Sequence, residues 1–126
     1  MMSHKILVFN CGSSSIKYRL FDVHVNGKHN SARYLLLRKG LIERIGQKDS
    51  GVRNHKEGIQ IILDDLVHAK EAKLKNFSEI FAIGHRVVHG GVEFKKPTVI
   101  TEEVISKIRE CIELAPLHNP ANLAGI

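Results

Sequence analysis

Short apolar and alternating segments occupy the first third of the chain and predict β-strands. Apolar residues rich in β-formers, followed by positions that alternate between apolar and polar, indicate three strands: Lys5–Asn10, Ser15–Val23 and Ala32–Ile42. A turn at 11–14 joins the first two strands. The pair Asn26-Gly27, between Val25 and Lys28, predicts a tight hairpin turn because both residues tolerate positive φ. The polar, glycine-punctuated segment Gly46–Gly58 predicts a loop.

After this loop, apolar residues recur with the spacing of an α-helix. One apolar stripe with helical spacing predicts a helix that continues to about Lys73, through the positions Ile59, Ile62, Leu63, Leu66 and Val67. The next apolar segment, Ile80–Val88, predicts a strand that the helix connects as a crossover, so we expect parallel pairing.

The last third of the chain predicts a short edge strand and more helix. Pro97–Ile100 is the candidate edge strand, and Thr101 is a good N-cap for a helix that ends before Pro116. Asn119-Pro120 suits the N-cap and first position of another helix. Three meandering strands, a helix, a strand and a helix predict an α/β fold with a mixed sheet.

Length and composition narrow the class of protein. With 126 residues, 43% of them hydrophobic, the chain predicts a single domain. The apolar run near its start, Ile6–Phe9, is far shorter than a membrane span or a signal-peptide core requires. Cys11 and Cys111 lack metal-site or redox spacing and predict reduced, buried thiols. We therefore expect a cytoplasmic protein without a membrane partner.

The positive charge is concentrated in one segment. The net charge is +6, and between Lys28 and Lys56 eight basic residues face only two acidic ones. Tyr34 is the single aromatic residue among them, so the segment lacks the aromatic interleaving of a nucleic-acid surface and the excess is more typical of a solvated face. We expect no nucleic-acid partner.

The segment 10–17, with the sequence NCGSSSIK, carries the first candidate chemistry. A glycine turn brings N–H groups close to an anion, while Ser13 and Ser15 supply hydroxyls and Lys17 a positive charge. If strand pairing resumes near Ser13, Ser13, Ser15 and Lys17 share one face. Asn10 either binds the hydration shell of Mg²⁺ or hydrogen-bonds the turn. An ordinary polar β-turn explains the same residues, and the order of residues in a P-loop is absent.

The segment 84–91, with the sequence GHRVVHGG, lies at the end of the predicted fourth strand. Ligands of α/β proteins bind at such strand ends. Arg86 and Val88 share a face there, and a guanidinium beside a small apolar side chain suits an acid with a short alkyl tail. Each histidine in this segment suits a structural hydrogen bond.

The segment 115–122, with the sequence APLHNPAN, places His118 in a proline-bounded turn before a helix start. His118 either donates a hydrogen bond to an oxyanion or caps the turn.

Together the three segments resemble the signatures of the acetate kinases, within the acetate and propionate kinase group, in the right order and over the whole chain. The resemblance implies a ribonuclease-H-like fold shared with sugar kinases, actin and Hsp70. It implies reversible phosphoryl transfer between ATP and acetate, giving acetyl phosphate and ADP, with Mg²⁺. It also implies a cytoplasmic homodimer.

The resemblance assigns some residues to a phosphate side of the site and others to an acyl side, which binds the carboxylic acid substrate. On the phosphate side it makes Asn10 the magnesium-associated residue, Gly12, Ser13 and Ser15 the phosphate turn, and Lys17 the ligand of the nucleotide phosphates.

On the acyl side Arg86 holds the substrate, and Val88 and Leu117 line the pocket for its methyl group. His118 is the candidate catalytic residue, bonded to the transferring phosphoryl group or the substrate.

Members of this family are longer than 126 residues and have a second, nucleotide-binding half that carries further catalytic residues. We therefore expect residues 1–126 to be one N-terminal domain, a truncated form that is inactive alone. Alternatives are a propionate kinase, a non-catalytic module that binds phosphate or acyl phosphate, and, as the weakest of them, a nucleic-acid-binding domain.

Overall fold

Four strands form one sheet in the computed structural model, which describes residues 2–26, 31–69, 72–86, 98–110 and 126. The order across the sheet is β3-β2-β1-β4. The strands comprise β1 (Met2–Cys11), β2 (Ile16–Asn26), β3 (Ser31–Ile42) and β4 (Ile80–His85). The helices are α1 (His55–His68) and α2 (Glu102–Glu110), and a short 3₁₀ helix that the sequence did not predict covers Phe77–Glu79.

The pairing confirms a mixed sheet. β1 pairs with β2, and β2 with β3, in antiparallel orientation, whereas β4 is parallel to β1. The chain between β3 and β4 contains α1, so the predicted crossover is confirmed. The carboxyl ends of β1 and β4 consequently lie at the same end of the sheet.

The two faces of the sheet differ in their covering. On the face packed against α1, hereafter the α1 face, alternate residues of β1 and β2 are buried in one core with residues of the helix and its flanking loops. The fully or almost fully buried members are Leu7, Phe9, Ile16, Leu20, Ile62, Leu66 and Leu74. Polar positions such as Lys17 and Arg19 alternate with them on the opposite face.

Helix α1 begins earlier than its apolar stripe predicted. Asn54 is the N-cap, and its side chain accepts a hydrogen bond of 2.9 Å from the N–H of Glu57. The predicted loop Gly46–Gly58 is therefore wrong at its end, since Gly58 lies buried inside the helix.

Helix α1 also ends earlier, at His68 rather than near Lys73. Ala69 is extended, and the chain then turns back so that buried Leu74 donates its N–H to the carbonyl of Leu66. Burial of Leu74 in the core favours this reversal over continued helix.

Two other local predictions are wrong. The hairpin does not turn at Asn26-Gly27, because Asn26 pairs with Ser31 and Val25 with Ala32. An edge-to-face contact between Phe21 and Tyr34, with ring centroids 5.9 Å apart, favours this register. Residues 98–100 form no strand, while Pro97 lies outside the described residues.

The predicted N-cap of α2 is confirmed. Thr101 accepts a 3.3 Å hydrogen bond at its hydroxyl oxygen from the N–H of Val104. Among the helices of the described ranges, none has the length and apolar character needed to cross a bilayer.

Gly40 allows Tyr18 to lie across β3. A Cβ atom built on Gly40 lies 2.8 Å from both Cζ and Oη of the Tyr18 ring, which is itself 7% exposed. We expect Gly40→Ala to lower the free energy of unfolding by about 1 kcal/mol or more, because the ring has to move out of a packed position. Urea unfolding measures this, with Gly84→Ala as the control because its Cβ meets only Val8, at an ordinary 3.8 Å. Equal stability of the two variants contradicts the prediction.

Candidate functional site

The turn between β1 and β2 closes the carboxyl end of β1. Cys11 pairs with Ile16, and the N–H of Gly12 donates a 2.8 Å hydrogen bond to the carbonyl of Ser15. A Cβ on Gly12 would lie 2.8 Å from Oγ of Ser15, so a larger residue there would require that hydroxyl group to rotate.

Strand pairing resumes at Ile16 and not near Ser13. Ser13 and Ser15 therefore belong to the turn, and the expectation that they share one strand face with Lys17 is wrong. The reason is that the hydrogen bond from Gly12 to Ser15 encloses a turn of four residues.

Two distant segments hold the carbonyl groups of this turn. The N–H of Ile45 donates a 2.9 Å hydrogen bond to the carbonyl of Ser14, and Nε2 of His55 lies 2.6 Å from the carbonyl oxygen of Gly12. In contrast, no described residue accepts a hydrogen bond from the N–H of Ser13, Ser14 or Ser15. Among the described residues, the turn thus offers uncommitted N–H donors, while the carbonyls of Gly12, Ser14 and Ser15 already accept hydrogen bonds.

The loop that supplies Ile45 is itself held in place. Arg44 has a φ of 59°, an unusual value for a residue with a side chain, and its guanidinium binds the carboxylate of Asp49 at 2.5–2.6 Å. The N–H of Gly46 donates to the carbonyl of Val52 at 2.8 Å. This bonding fixes the backbone that reaches the turn.

Three predicted site residues lie side by side on the face opposite α1. Lys17 of β2 pairs with Asn10 of β1, and paired residues of antiparallel strands project to the same face. On the other side of β1, His85 pairs with Phe9, so Arg86 is the next position and stands beside Asn10. The N–H of Arg86 donates to the carbonyl of Phe9 at 3.1 Å, which extends this alignment past the end of β4.

The alignment places two cations on either side of an amide. Neighbouring strands are about 4.8 Å apart, so the Cα atoms of Lys17 and Arg86 are separated by roughly 10 Å. Both side chains are exposed, and Asn10 between them is partly buried. Lys17 and Arg86 therefore lie on the same face of the sheet, on the two strands that flank β1.

Asn10 is the predicted metal ligand. Its side-chain amide has no hydrogen-bond partner among the described residues, so its carbonyl oxygen is available to a ligand. The described residues contain no group of three or more histidine, cysteine, aspartate or glutamate side chains that could hold a metal ion. Asn10 therefore suits a cation such as Mg²⁺ that is held mainly by water and phosphate oxygens, with one protein oxygen nearby.

His85 and Cys11 project to the α1 face, away from this alignment. The ring of His85 stacks on Phe9 with centroids 5.7 Å apart, and burial lowers the pKa of His85 below its ordinary value of 6.5. Burial raises the pKa of the Cys11 thiol. The prediction of a buried thiol is confirmed for Cys11, and these two residues serve the core rather than the candidate site.

The lowered pKa of His85 predicts that stability falls in acid. Below pH 6.5 the unfolded chain takes up a proton at this histidine more readily than the folded chain, so the free energy of unfolding decreases as the pH falls from 6.5 to the lower pKa of the folded chain, and it levels off below that pKa. For one proton this slope cannot exceed about 1.4 kcal/mol per pH unit, and partial exposure of the ring keeps it lower. Urea unfolding between pH 7 and 5 should show a weaker pH dependence for His85→Phe than for the unsubstituted chain. His68→Phe, at an exposed position, is the control, and an equal change in both variants contradicts the assignment to His85.

The rest of the predicted acyl side is not described. Val88, Leu117 and His118 lie outside the described residues, so their roles stay predictions. The sequence did not predict His55 or Ile45 as neighbours of the turn. One signal was available, since Asn54 followed three residues later by Glu57 is a helix start that places His55 in the first turn.

Part of the positive charge in the basic segment between Lys28 and Lys56 is neutralised by nearby carboxylates. Arg38 pairs with Asp65 at 2.7 Å, and Arg53 pairs with Glu57 at 3.0 Å, in addition to the pair formed by Arg44. These pairs agree with the interpretation of a solvated face.

Comparison with known proteins places this chain in a family. The family model described as "Acetokinase family" matches residues 5–126. The acetate kinase of Thermoanaerobacter pseudethanolicus is 50% identical over 138 residues, which cover 97% of this chain and 32% of that protein. The chain thus spans about a third of the length of the curated relatives it matches.

Solved structures give the same result. The crystal structure of Porphyromonas gingivalis acetate kinase matches with a TM-score of 0.78 and 38% identity, covering 97% of this chain and 33% of that one. A propionate kinase from Francisella tularensis matches with a TM-score of 0.73 and 37% identity, covering 97% of this chain and 32% of that one. These neighbours confirm the predicted fold class.

Proposed function

This chain belongs to the acetokinase family, and from that premise we propose that it supplies the phosphate and acyl side of an acetate kinase site. The reaction is reversible phosphoryl transfer from ATP to acetate, giving acetyl phosphate and ADP. The alignment of Lys17, Asn10 and Arg86 beside the uncommitted N–H groups of the turn carries the proposal.

The proposed chemistry follows from the charges on this face. A carboxylate oxygen of acetate attacks the γ-phosphorus of ATP, and the bond from that phosphorus to the bridging oxygen breaks, so ADP leaves with the electron pair. Phosphoryl transfer depends mainly on alignment and on neutralisation of charge at the phosphoryl oxygens. Arg86 binds the carboxylate with two parallel N–H donors, and Lys17 together with the turn N–H groups binds the phosphate oxygens.

Asn10 suits Mg²⁺ as an outer ligand in this proposal. Mg²⁺, when bound with the nucleotide, supplies further neutralisation of the phosphate charge. The carbonyl oxygen of Asn10 then accepts a hydrogen bond from the water shell of the ion. Val88 and Leu117 line the pocket for the methyl group, and His118 bonds the transferring phosphoryl group. We propose further that the complete enzyme is a homodimer in the cytoplasm.

The size of the relatives shapes the proposal. Because the matched relatives are about three times as long, we propose that residues 1–126 form one domain and that a second, nucleotide-binding half completes the site. The decisive experiment replaces the matching segment of the Thermoanaerobacter pseudethanolicus enzyme with this chain. Acetate-dependent formation of ADP by the chimaera supports the proposal. A folded chimaera that transfers no phosphoryl group contradicts it.

A propionate kinase is the second candidate, favoured by the match to the Francisella tularensis protein. The same chimaera distinguishes the two. A higher kcat/KM for propionate than for acetate reverses the assignment of substrate.

The 126-residue chain by itself is expected to show no turnover, because a site completed by a second half lacks part of its catalytic groups here. A coupled assay of the purified chain with acetyl phosphate and ADP tests this, with the Lys17→Ala variant as the background. Turnover well above that background contradicts the proposed division of the site. A non-catalytic binding module would also show saturable binding without turnover. The chimaera distinguishes this alternative, because a non-catalytic module would not restore phosphoryl transfer.

A further inference from the structure

His55 connects the first turn of α1 to the turn that precedes β2. Its ring is partly buried, and Nε2 lies 2.6 Å from the carbonyl oxygen of Gly12, 43 residues earlier in the chain. A carbonyl oxygen only accepts hydrogen bonds, so Nε2 carries the proton and donates it.

This contact fixes the orientation of one peptide group. In a trans peptide the C=O and the following N–H point in opposite directions within one plane. When His55 binds the carbonyl of Gly12, the N–H of Ser13 therefore points away from α1. The bond from Ile45 to the carbonyl of Ser14 orients the N–H of Ser15 in the same manner.

We propose that His55 is a positioning residue for phosphate binding: by bonding the Gly12 carbonyl it holds the N–H of Ser13 directed at a phosphate oxygen. This inference rests on the proposed function, because it assumes that the turn binds phosphate. His55 contacts the turn and not the reacting atoms, so it acts only through the orientation of the peptide group between Gly12 and Ser13.

The alternative is that His55 only anchors α1 to the sheet. Burial of Ile62 and Leu66 in the core anchors the helix to the sheet, and Asn54 caps its N-terminus independently of the imidazole ring. Removal of the ring nitrogen should therefore leave α1 in place and release the peptide group. This difference makes the two roles separable.

The test measures ligand binding at individual amides of the 126-residue chain. Two-dimensional ¹H–¹⁵N NMR follows the Ser13 amide during titration with Mg-ATP and, in a separate arm, with acetyl phosphate. The variants are His55→Phe, which keeps a ring without the donor, and His55→Gln, whose side-chain N–H reaches a position similar to Nε2. His68→Phe, at the exposed far end of the same helix, is the matched control.

We expect His55→Phe to weaken binding about three- to ten-fold, the equivalent of one lost hydrogen bond. We also expect it to reduce the shift of the Ser13 amide on binding, with little change in the unfolding temperature. His55→Gln should restore most of the affinity and most of the Ser13 shift, and His68→Phe should match the unsubstituted chain. The arm that gives the larger Ser13 shift identifies the phosphate compound that the turn binds.

Two results overturn the inference, and they are distinguishable. If the unsubstituted chain shifts at Ser13 and His55→Phe binds as tightly, His55 does not position the turn, while the proposed phosphate site stands. If neither ligand shifts the turn amides, either in the 126-residue chain or in the chimaera that supplies the second half, the phosphate site itself is wrong and the inference falls with it. If His55→Phe loses binding together with a lowered unfolding temperature, and His55→Gln does not restore binding, the role of His55 is only to anchor α1 to the sheet.

Discussion

Lys17→Ala is expected to lower kcat and raise the KM for nucleotide in a full-length acetokinase that carries this segment. Lys17 is exposed beside Asn10 next to the β1–β2 turn, and in the proposed site its ammonium group is the charged donor to the phosphate oxygens. Loss of one charge-assisted hydrogen bond costs about 1.5–3 kcal/mol, which corresponds to a ten- to hundred-fold loss of rate or affinity.

The control for Lys17 lies two residues further along the same strand. Arg19 is exposed on the same face and pairs with Val8, one step away from the turn. Arg19→Ala should leave both kinetic constants within about two-fold, since Arg19 lies beside Val8 and not beside the turn. If the two variants have the same kinetics, the turn is an ordinary polar connection and not a phosphate site.

Arg86→Ala should lower kcat/KM for acetate at least about ten-fold in the same enzyme, the equivalent of ~1.4 kcal/mol. The residue continues β4 beside Asn10, where its guanidinium can bind both oxygens of a carboxylate. Arg86→Lys should recover only part of this loss, because an ammonium group is a point charge without the paired donors of a guanidinium.

The comparison of kinetics with stability decides the role of Arg86. Steady-state rates against acetate concentration give kcat/KM, and thermal unfolding gives stability. Arg33→Ala is the control, since Arg33 is exposed on β3, remote from the turn. Intact acetate kinetics with a lowered unfolding temperature would make Arg86 a structural residue and remove the acyl site from the end of β4.

Periodicity predicted most of the fold because burial on one face leaves a clear pattern in sequence. The alternation in β2 matches its buried Ile16, Tyr18 and Leu20, and the stripe through Ile62 and Leu66 is the buried side of α1. The errors are at ends of elements. There, one cap at Asn54 or one buried side chain at Leu74 decides the boundary, and neither belongs to the periodic pattern.

The candidate site was predicted only where local sequence encodes it. The glycine and lysine around the turn are neighbours in sequence, and pairing across one hairpin places Asn10 beside Lys17. The contact of His55 with Gly12 depends on how α1 packs against the sheet, and sequence spacing carries no information about that packing. A helix-start signal at Asn54 would have located His55 on the helix but not at the turn.

The parallel pairing of β1 with β4 has a consequence for the order in which the two sides of the site form. The β1–β2 turn closes through Cys11 and Ile16, whereas the strand that carries Arg86 joins the sheet through pairs such as Ile6 with Ala82, 76 residues apart. Closing a loop of that length costs roughly 2–3 kcal/mol more in chain entropy than closing the turn. The pairing of β1 with β2 at the turn therefore forms from local contacts, while the bond from His55 to the turn and the placement of Arg86 wait for the folding of α1 and the docking of β4. Conditions that loosen the chain should release Arg86 first and leave the β1–β2 hairpin paired.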